Sequence, residues 1–152
     1  MNKKETNETK IVVLGGLGEV GKNMYCIMHK DAIVIIDAGV SFPESELMGV
    51  DYVLPDFTFL KENEDKIKAL LITHGHEDHI GGIPFLLQSI NIPAIYAPNH
   101  AKELISVKLQ DRNIRYDNLF VYTDQTKLKF KEIEIEFFRI THSIPDSHGI
   151  SI

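Results

Sequence analysis

Residues 73–82 read THGHEDHIGG, and they come directly after the apolar run ALLI at 69–72. Four side chains able to ligate a metal, His74, His76, Asp78 and His79, fall within six residues, between a buried strand and a Gly81-Gly82 turn. In an extended segment residues i and i+2 point the same way, so His74 and His76 can reach one cation. Asp78 and His79, one step further on, can reach a second, and two adjacent metals are expected. A catalytic zinc takes about three protein ligands plus water, so the first ion needs one more partner. His142 is the candidate: it lies in THSIPD, just after the apolar strand end 137–140, where a strand terminus again presents a loop to a cleft. Asp37 ends the run AIVII at 32–36. Two roles are open to it, a structural one in its hairpin or acceptance of a hydrogen bond from a liganding histidine. For His29, His100 and His148 the expectation is a surface or capped residue.

The rest of the chain supports a mixed α/β domain. A strand is expected at 11–14, then a glycine loop, then a hairpin from strands 24–29 and 32–37 with Lys30-Asp31 at its turn. Residues 38–56 carry Pro and Gly breakers and several acids and read as a long surface loop. Helix is expected over 57–68, strand over 69–73, helices over 83–90 and 100–113 with a strand at 94–96 between them, and a half-exposed hairpin over 127–139 turning at Lys131-Glu132. Residues 149–152 read as the start of another strand. This order suggests sheets packed inside helical layers.

The stretch Gly16-Leu17-Gly18-Glu19-Val20-Gly21 matches the dinucleotide pattern GxGxxG, yet the segment after it, Asn23 to Met28, is poor in helix formers and leads into a strand. It also nearly satisfies GxxxxGK[ST], except that Asn23 stands where the magnesium-ligating hydroxyl belongs. Nucleotide binding is therefore not expected. The glycines either make a sharp turn or help to shape the mouth of the active site.

The 152 residues are 43% hydrophobic and 25% charged, ordinary for one globular domain. A domain of about this size buries roughly two thirds of its unfolded surface, so a metal is not needed merely to hold it together. Cys26 is the only cysteine, which excludes an internal disulfide or thiolate-rich zinc site and is read as a small buried apolar residue. The polar leader, residues 1–9, has no signal-peptide core, and no run approaches the roughly 18 apolar residues of a membrane span. A cytoplasmic location is expected. The net charge of −6 argues against broad electrostatic attraction to nucleic acid. If RNA is the substrate, the metals must do much of the gripping.

THGHEDHIGG matches the HxHxDH signature of the metallo-β-lactamase fold, which implies an αββα sandwich with a dinuclear site at the edge of its sheets. Three further segments, LGGLGEVGKNM at 14–24, IIDAGVSFPE at 35–44 with GVDYVLPD at 49–56, and THSIPDS at 141–147, resemble the ribonuclease J family, a β-CASP branch of that superfamily. The likeness runs from Lys10 to Ile152. It implies a zinc-dependent nuclease on single-stranded RNA, degrading 5′ to 3′ and cutting internally, with manganese or magnesium as alternatives to zinc. It implies that His74, His76 and His142 hold one ion and Asp78 and His79 the other, with hydroxide attacking phosphorus in line.

The same resemblance leads to the expectation that residues 10–152 are a partial metallo-β-lactamase domain. The family's bridging aspartate, last zinc histidine, β-CASP domain and C-terminal dimerisation region would lie beyond it, so that the second metal binds weakly and this piece alone has little activity. Homo-oligomers are expected of the complete protein. Two other functions stay open: a thioester or lactone hydrolase of the same fold, which the acidic surface would suit, and a non-catalytic zinc-binding module completed by another chain.

Overall fold

The computed structural model describes residues 7–43 and 49–152. The first six residues of the expected leader, and residues 44–48 of the expected loop, lie outside them. A six-stranded sheet is laid down in chain order. β1 (Thr9–Gly15), β2 (Met24–His29) and β3 (Ala32–Ile36) form an antiparallel meander, and β4 (Ile67–Leu71), β5 (Ile95–Ala97) and β6 (Leu119–Val121) continue parallel to β3. The parallel strands need crossovers. These are supplied by α1 (Thr58–Glu62), by α2 (Glu77–Ile80) with α3 (Ile83–Ser89), and by α4 (Asn99–Asp111). A second, antiparallel sheet holds β7 (Lys127–Phe130), β8 (Ile133–Arg139) and β9 (His148–Ser151).

The period of two along β3 explains the layering. Ile33 and Ile35 face the helices, joining Met24, Cys26, Leu70, Ile72, Leu60, Ile80, Ile83, Leu86 and Ile105 in one core. Ala32 and Val34 face the other way, and with Ala69, Leu71, Tyr122, Ile133, Ile135 and Phe137 they join the two sheets. Tyr122 stacks on Phe137 at 3.6 Å between ring centroids and donates its hydroxyl to the Ile72 carbonyl at 2.7 Å, so its one polar atom is satisfied inside the core. The described residues thus supply three layers, helices, large sheet and small sheet. The outer face of β8 carries Glu134, Glu136 and Phe138, all exposed.

Several expected boundaries shift. The helix expected over 57–68 ends at Glu62, and after a 3-10 turn at Glu64–Lys66 the chain is already in strand from Ile67. The Asn63 side chain donates to the Phe59 carbonyl and accepts from Lys66, which satisfies the helix end locally. The three-residue strand β6 was not anticipated. Ala38, Gly39 and Val40, read as surface loop, are buried under α2.

Candidate metal centre

β3 and β4 run parallel, so their C-terminal ends open on one edge, where ligand sites gather in α/β sheets. Asp37 is the residue after β3, and Thr73 and His74 leave β4. The β8–β9 loop arrives at the same edge: the His148 N–H donates to the Thr73 carbonyl at 3.0 Å, and the Ile140 N–H to that of Ser147 at 3.1 Å. His142 sits in that loop.

One ring nitrogen from each of His74, His76 and His142 lies within 4.8 Å of the other two. Ring centroids are 4.8 Å apart for His74 and His76, 4.6 Å for His74 and His142, and 4.9 Å for His76 and His142. The extended backbone that points His74 and His76 the same way is short. It holds for His74 to His76, but the chain then turns into α2, with the His79 and Ile80 N–H groups both donating to the His76 carbonyl. Glu77 and Asp78 in the first turn favour that start, since acids stabilise a helix N-terminus. Asp78 and His79 still reach the site, from one helical turn: the His79 ring lies 4.0 Å from that of His74, and Asp78 Oδ2 is 3.4 Å from His79 Nε2.

Asp37 organises both groups. Its backbone is left-handed at φ 58°, a conformation Asp tolerates, and the residue is 3% exposed. Oδ1 accepts the Thr73 N–H at 2.8 Å; Oδ2 accepts the Thr73 hydroxyl at 2.9 Å and His79 Nδ1–H at 2.8 Å. With its one proton given to Asp37, the Thr73 hydroxyl accepts from His74 Nδ1–H at 2.9 Å. Asp37 thereby leaves the Nε2 lone pairs of both His79 and His74 free and aimed into the site. Of the two roles left open for Asp37, these hydrogen bonds fit the orienting one.

Burial, with the neighbouring rings of His79, His142 and His76, pushes the His74 imidazole down to about 4, so this ring is neutral at physiological pH and able to ligate. Burial also works against charge on His79, but the Asp37 hydrogen bond and the Asp37 and Asp78 carboxylates outweigh it and raise its pKa. Bare His74 Nε2 stands 3.1 Å from His76 Nδ1, an arrangement a shared cation or proton relieves. Three imidazoles converging on one point, with a carboxylate and a fourth imidazole beside them, fit a divalent metal of the zinc class. A concavity of about 430 Å³ near Ser106, Gln110 and Tyr116 shares no residue with this site.

The other histidines divide. His29 lies at the surface between Thr9 and Glu132. His148 corrects the expectation of a surface or capped residue: it is 1% exposed, its ring edge-on to Tyr122, with Nδ1 on the Asp146 carbonyl. Burial came from the packing of β9 against β8, a contact with no local signature. The glycine loop does turn sharply between β1 and β2, with positive φ at Gly16, Gly18 and Gly21, and no helix comes after it. It also brings in a residue missed as a site member. Asn23 Nδ2 donates to both the main-chain carbonyl and Oδ2 of Asp78, each at 3.0 Å.

This fold and donor set define a class: residues 17–151 match the Metallo-beta-lactamase superfamily, and the chain belongs to it. Within that class it is 51% identical over 147 residues to ribonuclease J 1 of Streptococcus pyogenes serotype M3, covering 96% of this chain and 26% of that protein. It is 47% identical over 145 residues to ribonuclease J of Mycoplasma pneumoniae, covering 95% and 26%. The chain spans about a quarter of the length of the curated relatives it matches. A B3 metallo-beta-lactamase with an active-site glutamic acid shares the fold at a TM-score of 0.61 and 18% identity, over 91% of this chain and 52% of that one.

Proposed function

We propose that this chain carries the N-terminal part of a metal-dependent RNA phosphodiesterase of the ribonuclease J type. The observation that carries the reading is the convergence of the His74, His76 and His142 ring nitrogens beside the Asp78–His79 pair. Half-identity to ribonuclease J along 96% of the chain supports the substrate class. His74, His76 and His142 would hold one divalent cation and Asp78 with His79 the other, zinc being the ion the nitrogen-rich set favours and manganese or magnesium the alternatives.

Such cations, when bound, acidify water and offset charge on phosphoryl oxygens. The chain's own residues prepare the site for that chemistry. Asp37 fixes the tautomers of His79 directly and of His74 through Thr73, and the low His74 pKa keeps that ring unprotonated. Asp78 and His79 give the second cation two donors where a catalytic zinc takes about three, so it binds more weakly than the first. With a net charge of −6, the chain has little general attraction for phosphate backbones, and RNA is gripped mainly at the site itself. No described helix is long and apolar enough to cross a membrane, and a cytoplasmic location is part of this proposal.

The test is to incubate the protein, in the longest form its gene encodes, with 5′-monophosphorylated single-stranded RNA and separately with a thioester. Metal-dependent RNA cleavage is expected. Turnover of the thioester alone would overturn the nuclease reading in favour of a hydrolase of small acyl compounds.

A further inference from the structure

The loop that fails to match a phosphate-binding motif leaves Asn23 unexplained, and its surroundings give it a task. Both Nδ2 protons are spent on one residue, Asp78, at its main-chain oxygen and at Oδ2, each at 3.0 Å. The same nitrogen lies 3.3 Å from His79 Nε2. The Asn23 backbone is tied in as well: its N–H donates to the Asp78 carbonyl at 3.0 Å, and its carbonyl accepts the Gly39 N–H at 3.0 Å. Room for the amide is built into the loop. Gly16 sits at φ 85°, and a Cβ there would stand 2.6 Å from Asn23 Oδ1.

Asp78 needs such a tether, because its side chain is 38% exposed on the first turn of a four-residue helix. Among the described residues, the polar side-chain contacts of its carboxylate are with Asn23 and His79. The result has a recognisable geometry: Oδ2 and His79 Nε2 lie 3.4 Å apart. Two ligands at about 2.0–2.1 Å from a tetrahedral zinc are separated by roughly 3.3 Å. Asp37 holds His79 from behind, and Asn23 does the same for Asp78.

We propose that Asn23 is a positioning residue for the second cation, fixing the Asp78 carboxylate at coordination distance from His79. This rests on the metal-centre reading above and adds a residue to it. The experiment is a Co²⁺ titration of the chain, of Asn23→Ala and of Asn23→Leu, monitored by d–d absorption, together with the thermal midpoint of each metal-free form. Asn23→Leu keeps the branched shape and heavy-atom count of the side chain and removes the donors, while both variants keep the backbone bonds.

The first Co²⁺ equivalent is expected to bind all three forms within twofold, and the second to bind both variants about tenfold or more weaker, the scale of losing an outer hydrogen-bond partner of a ligand. Second-equivalent affinity within twofold of the parent would overturn the proposal. So would an equal loss of both equivalents alongside a fallen thermal midpoint, the mark of a general structural role. A parent chain that gives no Co²⁺ spectrum at all would instead remove the metal centre on which the proposal stands.

Discussion

Asp37→Asn changes one atom and asks two of the three hydrogen bonds at this side chain to reverse. Asn tolerates the left-handed backbone at this position, so no new backbone strain enters. Oδ1 still accepts the Thr73 N–H, and the Thr73 hydroxyl can turn to accept from the new amide. His79 Nδ1–H cannot adapt so easily, because it now faces a donor at 2.8 Å. The cheapest relief is a change of tautomer, Nδ1 accepting and the proton moving to Nε2. Replacing charge-assisted bonds with neutral ones costs about 2 kcal/mol, which lowers the melting midpoint of a domain this size by about 6 °C. The functional cost is larger, since Nε2, the atom 3.4 Å from Asp78 Oδ2, no longer has a lone pair for a cation. Long-range ¹H–¹⁵N correlation spectra of the metal-free chain at about pH 9 distinguish the two tautomers. Nδ1–H is expected in the parent and Nε2–H in the variant, with second-cation affinity down about tenfold or more. The same tautomer in both, with an unchanged midpoint, would refute this chain of reasoning.

Three other outcomes rest on the same geometry. His142 is exposed, so His142→Ala should alter metal-free stability by no more than about 0.5 kcal/mol in urea unfolding, yet weaken the first cation by more than the ~10–100-fold typical of losing an outer partner; equal zinc affinity in calorimetry would remove His142 from the site. A Cβ at Gly39 would stand 1.6 Å from the Asp78 carbonyl, so Gly39→Ala must push α2 away, and unfolding titrations should show a loss of about 3 kcal/mol or more along with the second cation. The His74 pKa is lowered in the fold, so unfolded chain takes the proton more readily, and stability present above about pH 6.5 is lost as pH falls toward 4. Reduced for solvent screening, that loss is about 2 kcal/mol. His79, with a raised pKa, adds its stability below 6.5 and so does not contribute to the slope in this window. His74→Gln should flatten the slope, and an identical slope in both proteins would contradict the assignment.

How far the sequence could be read depended on the range of the interactions. The six residues from His74 to His79 are local: ligand types, strand and glycine turn all fall within one stretch, and His142 announced itself by the same strand-to-loop pattern. Asp37 was visible as a residue at a strand end, but its choice of partners was not, because Thr73 and His79 lie 36 and 42 residues away. The one-turn helix α2 was missed since four residues carry almost no periodic signal. Asn23 stood out only as a mismatch to a phosphate loop; its true neighbour, 55 residues on, is set by the packing of the β1–β2 loop over α2. His148 was misjudged for the same reason, its burial being made by β8, β9 and Tyr122.

The central claim is that the three imidazoles of His74, His76 and His142 share one cation. Anomalous diffraction at the zinc edge from crystals of the zinc-loaded chain addresses it directly. A peak about 2.0–2.1 Å from a ring nitrogen of each of the three histidines is predicted. Density with His142 turned away and no peak between His74 and His76 would contradict it.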